Sequence, residues 1–220
     1  MKANPSLATV SAPSLWAGQL FHFASLAILL FGVSVAWDFI GRPNPIYFWL
    51  AISVPVLHQL YVWITWRLEL QDSRVSKALG FKGYFTFFFI LLIARPISMM
   101  SIGWVNRGTL GLTLDSRIIL SVVLLVPALY LAYCINRYFT ITRAAGADHF
   151  KEEYRNMPLV KKGIFKYSPN AMYVFGFFAL WAIAIKFNSE AALIIAAFNH
   201  LYIWVHYYAT EKPDMKYLYG

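Results

Sequence analysis

Long apolar runs constrain the fold of this chain more than any other feature of its sequence. A helix crosses the hydrocarbon core of a bilayer with about 20 mostly apolar residues, and six runs approach this length. They lie at residues 15–37, 46–66, 84–104, 117–138, 170–187 and 190–209. Because 60% of the residues are hydrophobic and only 13% are charged, the composition excludes an ordinary soluble domain. The sequence predicts an all-α fold, a polytopic membrane bundle of about six transmembrane helices.

The positive charges are distributed unevenly between the two sides of this predicted bundle. If the N-terminus lies inside, most Lys and Arg residues fall on inner segments, beginning with Lys2, and the outer segments carry only four of them: Arg42, Arg107, Arg117 and Lys186. The positive-inside rule then places both termini in the cytoplasm, at a bacterial inner membrane or the endoplasmic reticulum. The formal net charge of +9 reflects an excess of Lys and Arg, which we expect to contact anionic lipid headgroups. No nucleic-acid partner is expected.

Loop lengths divide the chain into two parts. The segment 139–169 is the only long polar loop, and the last two apolar runs are joined by a tight hairpin, "KFNSE". We therefore separate residues 1–139, with helices one to four, from residues 140–220, with the cytosolic loop and the C-terminal hairpin. The N-terminus lacks the regions of a signal peptide, so the first helix is expected to remain. The chain shows no internal repeat, which argues against an inverted-repeat transporter.

Several ionisable residues lie where a membrane makes them costly. Arg95, followed by Pro96, falls in the middle of the third run, and at that depth an arginine marks either a functional site or a cap on carbonyls freed by the proline. His200 and His206 lie on the last run. His149, in "GADHF", has only carboxylates nearby, and these charges are expected to form a solvated helix face. The lone Cys134 and the absence of a paired-histidine motif predict no metal site.

The segment "KKGIFKYSPNAMY" carries the most specific polar pattern. Ser168 can act as the N-cap and Pro169 as the first residue of the fifth helix, whose free N–H groups attract an anion. The sixth helix returns to the same side and ends near Glu211, with Pro213 as its stop. The two polar ends are therefore expected to meet. Helix-terminal N–H groups, a carboxylate, tyrosines and a basic loop would suit a small zwitterionic ligand. Alternatively, the segments are two ordinary interfacial helix ends within a belt of tyrosines.

The segments "GIFKYSPNAMYVFG" and "YIWVHYYATEKPDMKYLYG" resemble the paired C-terminal signature of the phospholipid N-methyltransferases, in the wider membrane family that includes isoprenylcysteine carboxyl methyltransferases. The resemblance covers about residues 140–220. It implies a cytosolic, C-terminal site for S-adenosylmethionine. Ala171 replaces the proline of the family's Asn-Pro-Met-Tyr pattern, and Lys212 stands where a second Glu often occurs. The cofactor-binding residues that the resemblance and the helix-end argument indicate are Gly163, Tyr167, Ser168, Asn170, Met172, Tyr173, Gly176, Glu211 and Pro213.

The same resemblance predicts the reaction and its acceptor. Carboxyl methyltransferase relatives usually show Arg-His-Pro at positions 168–170, so Ser-Pro-Asn there favours an amine acceptor, in particular phosphatidylethanolamine or its methylated derivatives. The alternatives are a prenylcysteine carboxylate or small thiol or amine acceptor, and a non-catalytic lipid-binding protein. An amine must lose its proton before attack, and the candidate bases are His149, His200 and His206. The candidate substrate-binding residues are Arg95, Lys161, Lys162 and Lys166.

Overall fold

The computed structural model describes residues 11–220, in which all regular secondary structure is helical. Lys2, part of the predicted cytoplasmic N-terminus, lies outside this range. Four long helices account for the first four apolar runs and are long and apolar enough to cross a membrane. They are α1 (Gln19–Phe39), α2 (Pro45–Asp72), α4 (Gly80–Val105) and α5 (Leu114–Cys134), with the short α3 (Arg74–Ala78) between α2 and α4. A π-helical turn, Ile135–Phe139, extends α5.

The last two apolar runs form shorter helices than the sequence predicts. The fifth run is divided into α9 (Ala171–Phe175) and α10 (Phe178–Phe187), and the sixth forms α11 (Glu190–His206), with 17 residues. The prediction of about six membrane helices is therefore confirmed for four. The fifth run forms a shorter helical segment, Ala171–Phe187, in which a turn at Gly176 and Phe177 keeps right-handed helical dihedrals. The tight hairpin is confirmed, since only Asn188 and Ser189 separate α10 from α11.

Helix α11 lies at the centre of the bundle, where it packs against α1, α2, α4 and α10. Its buried small residues Ala191, Ala192 and Ala196 allow neighbouring backbones to approach closely, as is usual where membrane helices pack. Helix α10 also packs against α4 and α5. Large apolar side chains on the outside of the bundle, such as Leu20 and Val123, are exposed and suit contact with lipid chains.

The loop after α5 folds back over one end of the bundle, which we call the loop end. It contains α6 (Ile141–Ala144), α7 (Ala147–Phe150), α8 (Glu152–Arg155) and a 3₁₀ turn, Gly163–Lys166. Trp66 donates a hydrogen bond to the Tyr84 hydroxyl, which donates in turn to the Ala145 carbonyl, both at 2.7 Å. Gly146 has φ 79°, and a Cβ there would lie 2.3 Å from the Trp66 ring. A glycine is thus required where the loop crosses α2.

The chain after α11 remains helical instead of stopping. A π-helical turn, Tyr207–Glu211, leads directly into α12 (Lys212–Tyr219). Pro213 falls in the first turn of α12, where its missing N–H costs nothing. The prediction that Pro213 ends the sixth helix is therefore wrong, because the proline begins a new helix that packs beside the loop.

Candidate functional site

A cavity of about 530 Å³ lies between α2, α4, α5, α10 and α11, with residues of α6 and α9 also in its wall. This volume is typical of a binding site for a small molecule or part of a lipid. Apolar side chains such as Val62, Leu131 and Ile203 supply most of the lining. Several polar side chains also line it, and they are His58, Gln59, Arg95, Asn136, Tyr173 and His206.

The two polar helix ends predicted to meet do meet beside this cavity. Tyr173 lines the cavity from α9, and its hydroxyl donates a hydrogen bond to the Glu211 carboxylate. Residues 38 positions apart in sequence are joined in this way. The contact ties the start of the helical hairpin to its end, which confirms the expectation drawn from the sequence.

The start of the fifth helical segment differs in detail from the prediction. Helix α9 begins at Ala171, and Asn170 occupies the N-cap position with no capping bond from its side chain. Ser168 lies too early in the chain to cap the helix, and its hydroxyl accepts a hydrogen bond from the Asn170 N–H at 3.2 Å instead. Ser168 as N-cap and Pro169 as first helical residue are therefore wrong. A five-residue helix also offers only a weak dipole for an anion.

Aromatic rings surround the Tyr173–Glu211 pair. The ring centroids of Trp204 and Tyr207 each lie 5.9 Å from that of Tyr173, in edge-on arrangements. Glu211 ends the π-helical turn, a local widening of the helix that is frequent at functional sites. A carboxylate beside several aromatic faces forms a favourable environment for a cation.

Burial away from water is the main influence on the pKa of Glu211. Desolvation, together with the nearby Asp148 and Asp214 carboxylates, raises the pKa of Glu211 to about 8, although His149 acts in the opposite direction. A carboxyl group in this state takes up a proton near neutral pH and gives it up when a cation approaches. Ionisable groups with a strongly shifted pKa are concentrated at functional sites.

His149 lies in a buried charge cluster next to the cavity and not on a solvated helix face. Asp148 and His149 are 7% and 2% exposed, so the predicted solvated face is wrong for these two residues; only Glu152 and Glu153 are exposed. The ring stacks on Trp66 at 3.9 Å between centroids. The loop is pressed against α2, and this contact removes water from the Asp148–His149 pair.

Two carboxylates hold the His149 ring. Nδ1 lies 3.0 Å from Asp148 Oδ1, and Nε2 lies 3.4 Å from Asp214 Oδ2. Burial by itself lowers the pKa of His149, but the hydrogen bonds and charges of both carboxylates outweigh it and raise the pKa to about 9. His149 is therefore a cation at neutral pH. An imidazolium that is hydrogen-bonded to Asp148 through Nδ1 and lies 3.4 Å from Asp214 through Nε2 is suited to a structural role and not to accepting a proton.

Asp214 connects this cluster to the first half of the chain, and the sequence analysis did not identify it. Its Oδ1 lies 2.8 Å from Arg67 Nε of α2, and both side chains are fully buried. Arg67 also donates a hydrogen bond to the Ser14 carbonyl at 2.7 Å. In the sequence, Arg67 is one of the inner Lys and Arg residues and follows the second apolar run directly. In the sequence, the position of Asp214 three residues after Glu211 is the feature that indicates a role for this carboxylate near the site.

The three candidate bases occupy different environments. His206 lines the cavity, is 2% exposed, and has an Nδ1 without a hydrogen-bond partner among the described residues. His200 is half-buried outside the lining set, where it accepts a hydrogen bond from the Trp181 indole at 3.1 Å. His149 is engaged on both sides. Of the three, only His206 combines access to the cavity with a free ring nitrogen.

Arg95 also lies in the cavity wall, and no carbonyl cap is found for it. The side chain is 6% exposed, and neither Nε nor Nη2 has a hydrogen-bond partner within residues 11–220. Its guanidinium carbon lies 5.9 Å from the centroid of the Phe177 ring. The interpretation of Arg95 as a cap for carbonyls freed by Pro96 is therefore not supported by its contacts.

The remaining predicted site residues fall into two groups. Met172 and Gly176 line the cavity. The others lie outside its lining: Gly163, Tyr167, Asn170, Pro213, Lys161, Lys162 and Lys166. Gly163 has φ 59°, and a Cβ there would lie 2.5 Å from Cys134 Sγ, so its glycine is required for packing. Tyr167 and the three lysines are exposed, and their roles stay predictions.

Fold and site together define an α-helical membrane protein with an apolar cavity inside the bundle and a carboxylate–tyrosine pair beside it. Residues 116–220, a little under half of the chain, match the model of the phospholipid methyltransferase family. This match confirms the resemblance drawn from the C-terminal residues, and it includes α9 to α12 and the whole Tyr173–Glu211 pair. No curated protein and no solved structure matched the chain in the corresponding comparisons.

Proposed function

We propose that this protein transfers a methyl group from S-adenosylmethionine to the amine of phosphatidylethanolamine or of its methylated derivatives. The observation that carries the proposal is the Tyr173–Glu211 pair beside an apolar cavity, within the part of the chain that matches a phospholipid methyltransferase family. The uneven distribution of Lys and Arg supports a cytoplasmic loop end, where the cofactor is available.

The residues at this end of the cavity fit the cofactor. S-adenosylmethionine carries a cationic sulfonium, hydroxyl groups, an amine and a carboxylate, and when bound it supplies an activated methyl group. Glu211 provides a carboxylate for the hydroxyl or amino groups, and the rings of Tyr173, Trp204 and Tyr207 provide faces for a cation. Met172 and Gly176 extend the same wall into the cavity.

The protein contributes positioning, exclusion of water and a base. Apolar side chains of the cavity exclude water around the acceptor, and aligned partners react faster because little orientational freedom remains to be lost. We assign acceptance of the proton of the acceptor ammonium to His206, because its Nδ1 has no hydrogen-bond partner among residues 11–220 and its side chain lines the cavity. The exposed lysines 161, 162 and 166 would attract anionic headgroups to the loop end.

The direct test is transfer of labelled methyl from S-adenosylmethionine to a total lipid extract by the purified protein in detergent. Label in mono- or dimethylated phosphatidylethanolamine supports the proposal. Label that appears only in a prenylated peptide or a small thiol would assign the acceptor to the alternative classes. Failure to bind S-adenosylmethionine would support a non-catalytic lipid-binding role.

Cofactor binding is tested separately with Glu211→Gln and a matched control. Glu152→Gln removes an exposed carboxylate from the same end of the molecule. We expect calorimetry to show loss of S-adenosylmethionine binding in Glu211→Gln while the folded protein remains intact in detergent, and wild-type affinity in Glu152→Gln. Unchanged affinity in Glu211→Gln would remove this carboxylate from the site.

A further inference from the structure

The guanidinium of Arg95 is a buried cation in the cavity wall without a protein anion. It is 6% exposed, its Nε and Nη2 have no hydrogen-bond partner within the described residues, and it lies in the middle of a helix long enough to span the bilayer. Keeping a charge at such a depth is costly unless it is paired, so an unpaired arginine there indicates an anionic ligand. Its neighbour in the lining, His58, has no partner for either ring nitrogen in residues 11–220.

We propose that Arg95, assisted by His58, binds the phosphate of the acceptor lipid and thereby restricts the acceptor to amines that carry a phosphate. This inference rests on the proposed function and adds the part of the acceptor that the protein recognises. An arginine is suited to this task, because its planar group of N–H donors matches phosphate oxygens.

The spacing within the cavity agrees with the size of a phosphoethanolamine headgroup. Arg95 lies against Phe177, and Phe177 follows Tyr173 by four residues, about 6 Å along a helical axis. In phosphatidylethanolamine the nitrogen and phosphorus are separated by four single bonds, roughly 5 Å when extended. A phosphate at Arg95 therefore places the amine near Tyr173, on the side of the cavity where the hydroxyl meets Glu211.

The path of the acyl chains follows from the same wall. Ile93 of α4 and Ala132 of α5 both line the cavity and are also exposed on the outside of the bundle. Helix α4 packs on α2 and α10, and α5 packs on α10, whereas α4 and α5 have few contacts with each other, which leaves the cavity open between them. A lipid held at Arg95 can thus keep its chains in the bilayer while its amine points toward the loop end.

The test measures binding, so it does not depend on turnover. Melting temperatures in a neutral detergent are followed while short-chain phosphatidylethanolamine, or diacylglycerol of the same chain length, is added. The wild-type protein should be stabilised by the phosphate-bearing lipid and much less by diacylglycerol. Arg95→Gln should weaken binding of the phosphate lipid at least tenfold, and Arg95→Lys by a smaller factor. Arg107→Gln, which changes an exposed arginine at the opposite end, should bind like wild type.

Three results would overturn the inference. The first is wild-type lipid affinity in Arg95→Gln, and the second is equal stabilisation of the wild-type protein by both lipids. The third is loss of S-adenosylmethionine affinity in Arg95→Gln with lipid affinity retained, because the arginine would then pair with the cofactor carboxylate. If Arg95→Gln does not fold, Arg95→Lys must show reduced discrimination between the two lipids. If discrimination depends on Arg95 but no lipid is methylated, the phosphate site stands and the proposed reaction fails.

Discussion

Replacing Asp214 by asparagine should destabilise the protein strongly, because the change leaves Arg67 as an unpaired buried cation. The two side chains are 2.8 Å apart and fully buried. Breaking a buried ion pair by removing one partner typically costs about 3–5 kcal/mol, since the remaining charge keeps its desolvation penalty. For a chain of this size, each kcal/mol lowers the melting temperature by about 2–4 °C, so we expect a decrease of about 6–20 °C in detergent.

A control and a double variant make this prediction specific. Asp38→Asn removes a carboxylate from the exposed pair with Arg42 at 2.6 Å, and it should leave the melting temperature nearly unchanged. Arg67→Met combined with Asp214→Leu should recover much of the lost stability, because the buried cation and its carboxylate are removed together and His149 stays paired with Asp148. A melting temperature within about 2 °C of wild type for Asp214→Asn would refute the reasoning.

Four further results are expected. Because the pKa of Glu211 is raised to about 8 and a cationic ligand favours its charged form, S-adenosylmethionine affinity measured by calorimetry should rise by up to tenfold per pH unit below pH 8 in the wild type and in Glu152→Gln, and an affinity independent of pH would contradict this reasoning. His206→Gln should lower kcat by about 10²–10⁴ with little change in the lipid KM, and retained kcat would exclude it as the base. The pKa of His149 is raised from 6.5 to about 9, so its stabilising contribution is complete below pH 6.5 and is lost as the pH rises through 9; melting scans of wild type and His149→Gln check this. Gly146→Ala should cost about 1–3 kcal/mol in thermal unfolding, since its backbone is left-handed and the Cβ meets Trp66, and a neutral effect would contradict that geometry.

Hydropathy predicted the parts of the fold that depend on length and composition. The four long helices appear close to the predicted runs, because the bilayer requires a minimum apolar length. The fifth and sixth helices were predicted less well. The fifth helical segment has a turn at Gly176 and Phe177, and the sixth helix is followed by a π-helical turn. Hydropathy does not predict either irregularity, because both begin within apolar runs.

The polar contacts were predictable only where the chain itself limited the choices. Because the hairpin between α10 and α11 is short, its two outer ends had to meet, and the Tyr173–Glu211 bond follows. The contacts of Asp214 depend on how the loop and α12 dock on α2, a tertiary arrangement that local sequence does not encode. For the same reason His149 was predicted to be solvated, although the docked loop buries it.

The cavity joins the two halves of the chain and gives them different tasks. The carboxylate, the aromatic faces and His206 come from residues 116–220, the part that matches the methyltransferase family. His58 and Arg95 come from α2 and α4, outside that match. The proposed S-adenosylmethionine site would be the same whatever the acceptor, whereas the acceptor determines which groups must face it. The proposed cofactor side of the site therefore lies in the half that carries the family pattern. On our proposal, the first half supplies the groups that select the lipid.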